Sequence, residues 1–214
     1  MPPPPQGARR ARRAVSLPPT RWELVGEGNR GYGQHFAALV ADGADITGEA
    51  RLADALVPRH ARILDVGSGM GRIAAALAAR GHDVVATEPD PALREQSRST
   101  YADLPVLPHE ALAIPPLEPF DLVVVVGNVL VYLGEDTERD VLAHLRSLLA
   151  PGGRILAGFE LASTKNGSRT YPADEFVADV EAAGLGVVWR FGSYELHPPD
   201  DDYAVWVLSA DQAD

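Results

Sequence analysis

The chain has 214 residues, 46% of them hydrophobic, and a formal net charge of −11. This length is enough for one α/β domain with a well-buried core, and the acidic balance argues against a nucleic-acid partner, whose phosphates the chain would repel. Cysteine is absent, which excludes disulfides and thiolate metal sites, and no apolar run is long enough to cross a bilayer. We therefore expect a cytoplasmic protein, a monomer or homodimer, with no membrane, nucleic-acid or metal partner.

Residues 1–20 differ in composition from the rest of the chain. They combine prolines with four arginines and have little apolar surface to bury, which is typical of a disordered basic tail. An alternative is that the arginines bind an anionic partner. Residues 21–214 are predicted to form a single domain, with an N-terminal helical cap over 21–57 and a core over 58–214.

The cap is predicted to be helical in two pieces. Phe36, Leu39 and Val40 fall on one face of the first helix, and residues 42–46 interrupt the pattern. Thr47 is the predicted N-cap of the second helix.

The segment 63–72, ILDVGSGMGR, is predicted to be a buried strand, a glycine turn and the start of a helix over 70–80. Its glycines, Gly67, Gly69 and Gly71, have the spacing G-x-G-x-G. This spacing differs from the dinucleotide fingerprint G-x-G-x-x-G, and no lysine follows as a P-loop requires. Arg72 follows the glycine turn at the helix start, where a cation opposes the helix dipole. This misfit hints at another contact for its side chain, although we expect the side chain to be exposed.

Glu88 ends the next predicted strand, 21 residues after Gly67. An acidic side chain about 20 residues beyond a glycine turn reaches ribose hydroxyls. The alternative is that Glu88 stabilises the N-terminus of the following helix.

Strands and helices continue to alternate, which predicts a sheet covered by helices on both faces. The predicted elements are a helix from Pro91, a strand at 106–107, a strand at 120–126, a helix at 135–149, a strand at 154–159, a helix at 174–183, and two antiparallel strands at 186–196 and 203–209.

The ensemble D-x-G-x-G-x-G, helix, strand and glutamate resembles the class I S-adenosylmethionine (SAM) methyltransferases. FDLVVVVGNVLVYL is similar to the family's fourth strand, and LRSLLAPGGRIL to the helix, turn and fifth strand that follow. The resemblance covers about residues 48–209, and GNVLVYL looks like a subgroup of bacterial small-molecule methyltransferases. It implies a three-layer, Rossmann-like sheet of seven mostly parallel strands with an antiparallel last strand, covered by the N-terminal helical cap.

The resemblance also implies a function: methyl transfer from SAM to a small-molecule acceptor, with S-adenosylhomocysteine (SAH) as product. Asp65 would orient the glycine turn and the ammonium group of SAM, and Glu88 would accept the ribose hydroxyls. The implied cofactor-binding residues are Asp65, Gly67, Ser68, Gly69, Gly71, Glu88, Pro89, Glu110, Ala111, Gly127 and Asn128. Glu110 lies in a segment that departs from the family pattern and is alternatively a solvated loop acid. Asn128 alternatively satisfies turn backbone.

Methyl transfer from a sulfonium is an in-line displacement, so the protein chiefly positions two reactants, and a base is needed only for a protonated nucleophile. No catalytic residue is fixed by the sequence. Tyr32 and His35 are the candidate bases, and His109 and His197 are further histidines considered for this role. The predicted substrate-binding residues are Tyr32, His35, Phe36, Tyr132 and Glu160. The polar loop 160–171 is predicted to be either a lid or a plain surface loop.

Three other functions stay open at this point. The chain could bind SAM without transferring a methyl group, use SAM in another reaction, or be an NAD-dependent oxidoreductase. Glycine spacing and the lack of a Tyr-x-x-x-Lys pair disfavour the oxidoreductase. The absence of a [DN]-P-P-[YF] motif, of paired glutamates and of an Asp-rich set disfavours nucleic-acid and protein-arginine substrates and a magnesium site.

Overall fold

The computed structural model describes residues 17–29, 31–162 and 164–210. Residues 1–16, most of the predicted tail, lie outside the described residues. Within the described ranges, no helix is long and apolar enough to cross a membrane.

A seven-stranded sheet forms the centre of the described domain, in the order β3-β2-β1-β4-β5-β7-β6. Its strands are β1 (Arg62–Val66), β2 (Asp83–Thr87), β3 (Val106–Leu107), β4 (Phe120–Val125), β5 (Leu149–Glu160), β6 (Gly186–Phe191) and β7 (Tyr203–Ser209). β7 is antiparallel to both of its neighbours, and the other pairs are parallel. The predicted sheet with an antiparallel last strand is confirmed.

Seven α-helices surround this sheet in the described residues. They are α1 (Arg21–Val25), α2 (Tyr32–Ala41), α3 (Gly48–Ala55), α4 (Arg72–Ala78), α5 (Pro91–Thr100), α6 (Glu138–Ser147) and α7 (Ala173–Ala182). Alternate residues of β4 point to opposite faces, so Val123 packs in one core with residues of α6 and α7, while Val124 packs in a second core with residues of α3 and α4. The predicted three layers are therefore present.

Several element boundaries differ from the prediction for local reasons. The helix predicted from residue 70 begins at Arg72, because Gly71 takes a left-handed N-cap conformation with φ 85°. β5 begins at Leu149 rather than 154, with a register shift opposite Phe120 and Leu122. The cap contains three helices instead of two, since α1 is separated from α2 by the 3₁₀ turn Gly26–Asn29.

Two local details of the N-terminal part differ from what the sequence indicated. Thr47 is the N-cap residue of α3, as predicted, but its hydroxyl lies 3.5 Å from Asp45 Oδ1 and makes no capping bond. Thr20, assigned to the tail, is buried: it bridges to Gly134 and forms a capping box with Glu23 at the start of α1. The folded domain therefore begins before residue 21.

Candidate active site

A cavity of about 500 Å³ lies at the carboxyl ends of the parallel strands, where open α/β sheets bind their ligands. Its floor comes from the turns after β1, β2, β3 and β4 and the end of β5, and its walls from α1, α2 and the loop after β5. The lining residues that the sequence predicted are Tyr32, His35, Gly67, Gly69, Glu88, Pro89, His109, Glu110, Ala111, Gly127, Asn128, Tyr132 and Glu160. A smaller adjoining cavity of about 40 Å³ is lined by Asp65, Ser68, Phe36 and Arg72, and shares Tyr32, Gly67, Gly69 and Gly127 with the larger one.

The three glycines of the first turn have different surroundings, although all have positive φ. A Cβ at Gly67 would lie 2.7 Å from Val129 Cγ2, and one at Gly71 would lie 2.6 Å from Leu104 Cδ2. A Cβ at Gly69 would meet nothing nearer than Tyr32 Cε1 at 4.0 Å. Gly67 and Gly71 are thus needed for packing. Gly67 also lines both cavities and Gly71 lines neither, whereas a Cβ at Gly69 would enter open cavity.

Asp65 connects β1 to the helix after the turn. Its side chain is buried, and Oδ2 accepts a hydrogen bond from the Ala74 N–H at 3.1 Å. Burial raises the pKa of Asp65 to about 7, although the Arg72 charge and the Ala74 N–H oppose that shift. The buried Ser68 hydroxyl has no hydrogen-bond partner among the described residues, and a polar ligand in the smaller cavity would satisfy it.

Glu88 joins the turns after β1 and β2. One carboxylate oxygen accepts from the Gly69 N–H at 2.9 Å and the other from the Asp90 N–H at 2.8 Å. Burial nevertheless raises the pKa of Glu88 to about 7. Asp90 caps α5 by accepting from the Ala92 N–H, so the helix-capping role considered for Glu88 belongs to Asp90.

The turns after β3 and β4 complete the floor. Glu110 precedes the short 3₁₀ helix Ala111–Ala113, and burial, followed by the nearby charge of Glu23, raises its pKa. Asn128 has a left-handed φ of 74°, and its Oδ1 accepts the Glu160 N–H at 2.8 Å. Asn128 therefore binds backbone at the end of β5, where the alternative expected backbone of its own turn, and it also lines the cavity.

An aromatic cluster forms the wall opposite the glycine turn. Trp22 packs edge-on against Tyr32 and Tyr132, with ring centroids 5.4 and 5.5 Å away, and its Nε1–H donates to Asp90 Oδ2 at 2.8 Å. Trp22 was not among the predicted site residues, because Asp90 and Tyr132 are distant from it in sequence. Phe36, predicted to contact substrate, lines the smaller cavity and stacks under the Arg72 guanidinium.

Three of the four candidate bases line the larger cavity, and the fourth does not. Tyr32 and His35 line the larger cavity, but desolvation raises the pKa of Tyr32 above its ordinary value, so its hydroxyl stays protonated near neutral pH. His109 also lines the cavity, whereas His197 is bonded to Ser193 and lines neither cavity.

The Arg72 side chain is largely buried, although the sequence led us to expect an exposed one. Its side chain is 14% exposed and forms an ion pair with Glu49 of α3, with further hydrogen bonding to the Ile46 carbonyl. This contact offsets the unfavourable position of a cation at a helix N-terminus and fastens the cap to the cofactor side of the sheet.

The loop after β5 lies over the larger cavity. Lys165, Asn166 and Ser168 contribute to the lining, and the Tyr132 hydroxyl donates to the Lys165 carbonyl at 3.1 Å. The loop therefore has the position that the lid hypothesis requires.

Comparison with known proteins places this geometry in a family. The family model described as a methyltransferase domain matches residues 64–155. A crystal structure of a TehB-like SAM-dependent methyltransferase from Corynebacterium glutamicum shares 33% sequence identity, with a TM-score of 0.75, over 85% of this chain and 97% of that one. The chain belongs to the class I SAM-dependent methyltransferases.

Two further methyltransferases are similar to part of the chain or to its fold. An uncharacterized methyltransferase of Mycobacterium tuberculosis is 34% identical over 119 residues. The match covers 54% of this chain and 60% of that relative's length. The glycopeptide N-methyltransferase MtfA, solved with bound SAM, is 18% identical over 78% of this chain and 88% of its own, with a TM-score of 0.64.

Membership of this family identifies SAM as the cofactor of the methyltransferase. The NAD-dependent alternative is thereby removed. The buried, unpartnered Ser68 hydroxyl and the open space at Gly69 are both compatible with a ligand bound at the glycine turn.

Proposed function

We propose that this methyltransferase transfers the methyl group of SAM to a small-molecule acceptor. The observation that carries the proposal is one continuous cavity that extends from Gly69 and Glu88 to the aromatic cluster. Its volume, about 500 Å³, lies in the range of small-molecule sites, roughly 300–1,000 Å³. The cap and the loop after β5 cover it, which suits a compact acceptor better than a nucleic-acid duplex.

The cofactor half would use residues of the first three turns. Glu88 would accept the ribose hydroxyls, Gly69 would allow close approach of the ligand to the main chain, and Asp65 and Ser68 would hold the amino-acid end. Glu110 and the Ala111 N–H would lie beside the adenine of SAM. When bound, SAM supplies both the methyl group and its leaving group.

The acceptor half would use the aromatic wall and the loop. Trp22, Tyr32 and Tyr132 would pack against a planar or apolar acceptor and exclude water, which strengthens the polar contacts that orient it. His35 and Glu160 would hydrogen-bond its polar groups. His35 is the stronger candidate base of the two first considered, because the Tyr32 hydroxyl is kept protonated by desolvation.

A panel of small metabolites incubated with methyl-labelled SAM tests the proposal. We expect labelled product from at least one class of acceptor, with SAH released in equal amount. Gly69→Val is the control, since its side chain should abolish labelling by occupying cofactor space at the glycine turn. Tight SAM binding with no transfer to small molecules, peptides or nucleic acids would instead favour a SAM-binding protein without methyl transfer.

A further inference from the structure

Glu138, at the start of α6, is a buried acid outside the cavity. Its side chain is 4% exposed, and no part of it lines either cavity. The helix N-terminus favours a carboxylate there, but a buried charge also needs a cationic or hydrogen-bonding partner.

Two arginines from opposite parts of the chain supply that partner. Arg21 Nη1 lies 3.2 Å from Glu138 Oε1, and Arg169 Nη1 lies 2.7 Å from the same oxygen. Arg21 belongs to α1 and also donates to the Leu133 carbonyl at 2.8 Å. Arg169 is at the end of the loop 164–169, which is the part of the loop after β5 that lies over the cavity, and it has a second ion pair with Glu175.

Each arginine carries a segment that covers the cavity. The residue after Arg21 is Trp22, which forms part of the aromatic wall. The residue before Arg169 is Ser168, which lines the cavity with Lys165. One carboxylate oxygen outside the cavity is thus bonded to both covering segments.

We propose that Glu138 is a positioning residue that fixes α1 and the loop 164–169 relative to each other and so sets the shape of the acceptor side of the cavity. This inference rests on the proposed function in that the cavity binds an acceptor. Removing the charge leaves two partly buried guanidinium groups without the anion that they share, although Arg169 keeps its ion pair with Glu175 and Arg21 its bond to Leu133. Each segment then opens more often, because each loses one of the contacts that hold it to α6.

Amide hydrogen exchange of the SAH-bound protein tests the proposal without an acceptor. Glu138→Gln should raise exchange about tenfold in both 21–29 and 164–171, with β1 and β4 unchanged. Arg21→Met should raise exchange in 164–171, and Arg169→Met should raise it in 21–25.

α1 and the loop also touch directly, because a Cβ at Gly167 would lie 2.6 Å from Val25 Cγ2. The Glu138→Gln background separates the two routes, since in it Arg21→Met should cause no further rise in 164–171. Arg139→Gln is the matched control, because it removes an ion pair between α6 and Asp179 of α7. Asp179 accepts from the Tyr171 hydroxyl through its other oxygen, so both segments should stay protected.

Independent responses of the two segments, or a cross-effect that persists in the Glu138→Gln background, would overturn the proposal. Calorimetric binding of SAH to the same variants reports on the cofactor site separately, so failure of this inference is distinguishable from failure of the proposed function.

Discussion

At the scale of single residues, substitutions of Gly67 and Gly69 are expected to affect different properties, stability at Gly67 and cofactor affinity at Gly69. Both have left-handed backbone, so Ala costs about 1 kcal/mol at either position. Gly67→Ala also drives a Cβ to 2.7 Å from Val129, and we expect it to destabilise the protein by a further ~1–3 kcal/mol. Gly69→Val should fold but bind SAH at least about tenfold more weakly, since its side chain occupies ligand space.

Thermal melting and calorimetry on the two variants provide the measurement. Normal SAH affinity in a folded Gly69→Val protein would remove the glycine turn from the cofactor site.

The raised pKa values of Asp65 and Glu88, each about 7, predict pH-dependent cofactor binding. SAM hydroxyl and ammonium groups need ionised carboxylates as acceptors. Affinity for SAH should therefore rise with pH up to about 7 and then level off, and below 7 it should fall about tenfold per pH unit for each group that must ionise.

Calorimetry between pH 5.5 and 8.5 checks this dependence. Glu88→Gln should bind more weakly and with a shallower slope, because one of the two buried carboxyls with a raised pKa is then removed. A flat profile in the native protein would show that neither carboxylate has to be ionised for binding.

At the scale of elements, the loop after β5 can be tested without disturbing the ion pairs of Arg169. Replacing 164–168 by a short glycine turn removes Lys165 and Ser168 from the cavity wall and leaves Arg169 in place. SAH affinity should stay within about threefold, because the substitution is distant from the glycine turn. Methyl transfer to an identified acceptor should fall at least about tenfold through loss of water exclusion.

The measurement is turnover together with SAH affinity in the same preparation. Turnover equal to that of the native chain would make this segment a plain surface loop.

The elements also show why the two halves of the site were not equally predictable. Asp65, Gly69 and Glu88 come from two adjacent strands and one turn, so their spacing along the chain carries the information. Arg21 and Glu138 are 117 residues apart, and Glu138 appears in the sequence as one polar position of an amphipathic helix. The contacts of Trp22 with Tyr132 and of Arg72 with Glu49 likewise join different elements, so the sequence does not identify these partners.

Contacts between residues that are distant in sequence also explain why some boundaries of helices and strands were not predicted. The order of strands and helices follows from hydrophobic periodicity, and the seven strands agree with it. The start of β5 depends on how Leu149 pairs with Phe120 across the sheet, which periodicity does not contain. The separate helix α1 depends on Thr20 packing against Gly134, a contact between the cap and the sheet side of the molecule.

At the scale of the whole molecule, the two buried carboxyls affect folding. Their native pKa values, about 7, exceed the ordinary values of 3.8 for Asp65 and 4.5 for Glu88. The native state therefore holds these protons more tightly than the unfolded chain. The resulting stabilisation is fully present below about pH 4 and is lost as pH rises to about 7.

We expect the melting temperature of the ligand-free protein to fall between pH 5 and 7.5 and then to flatten. Saturating SAH should offset the loss, by about 2.7 kcal/mol at a hundredfold excess over Kd. Scanning calorimetry across this range, with Glu88→Gln as the comparison, measures the effect. A melting temperature that increases over the same interval would contradict the buried, proton-retaining environment of these side chains.

The hydrogen bonds that the Glu88 carboxylate accepts from the Gly69 and Asp90 N–H groups have a kinetic consequence. They hold the turns after β1 and β2 together within the protein itself, so the conformational entropy of ordering those turns is lost during folding and not during association. Cofactor capture should then be a single-exponential process whose rate is proportional to ligand concentration, without a slow isomerisation. Its heat-capacity change should reflect the apolar surface of the ligand and little else, since no segment of the glycine turn has to fold around it.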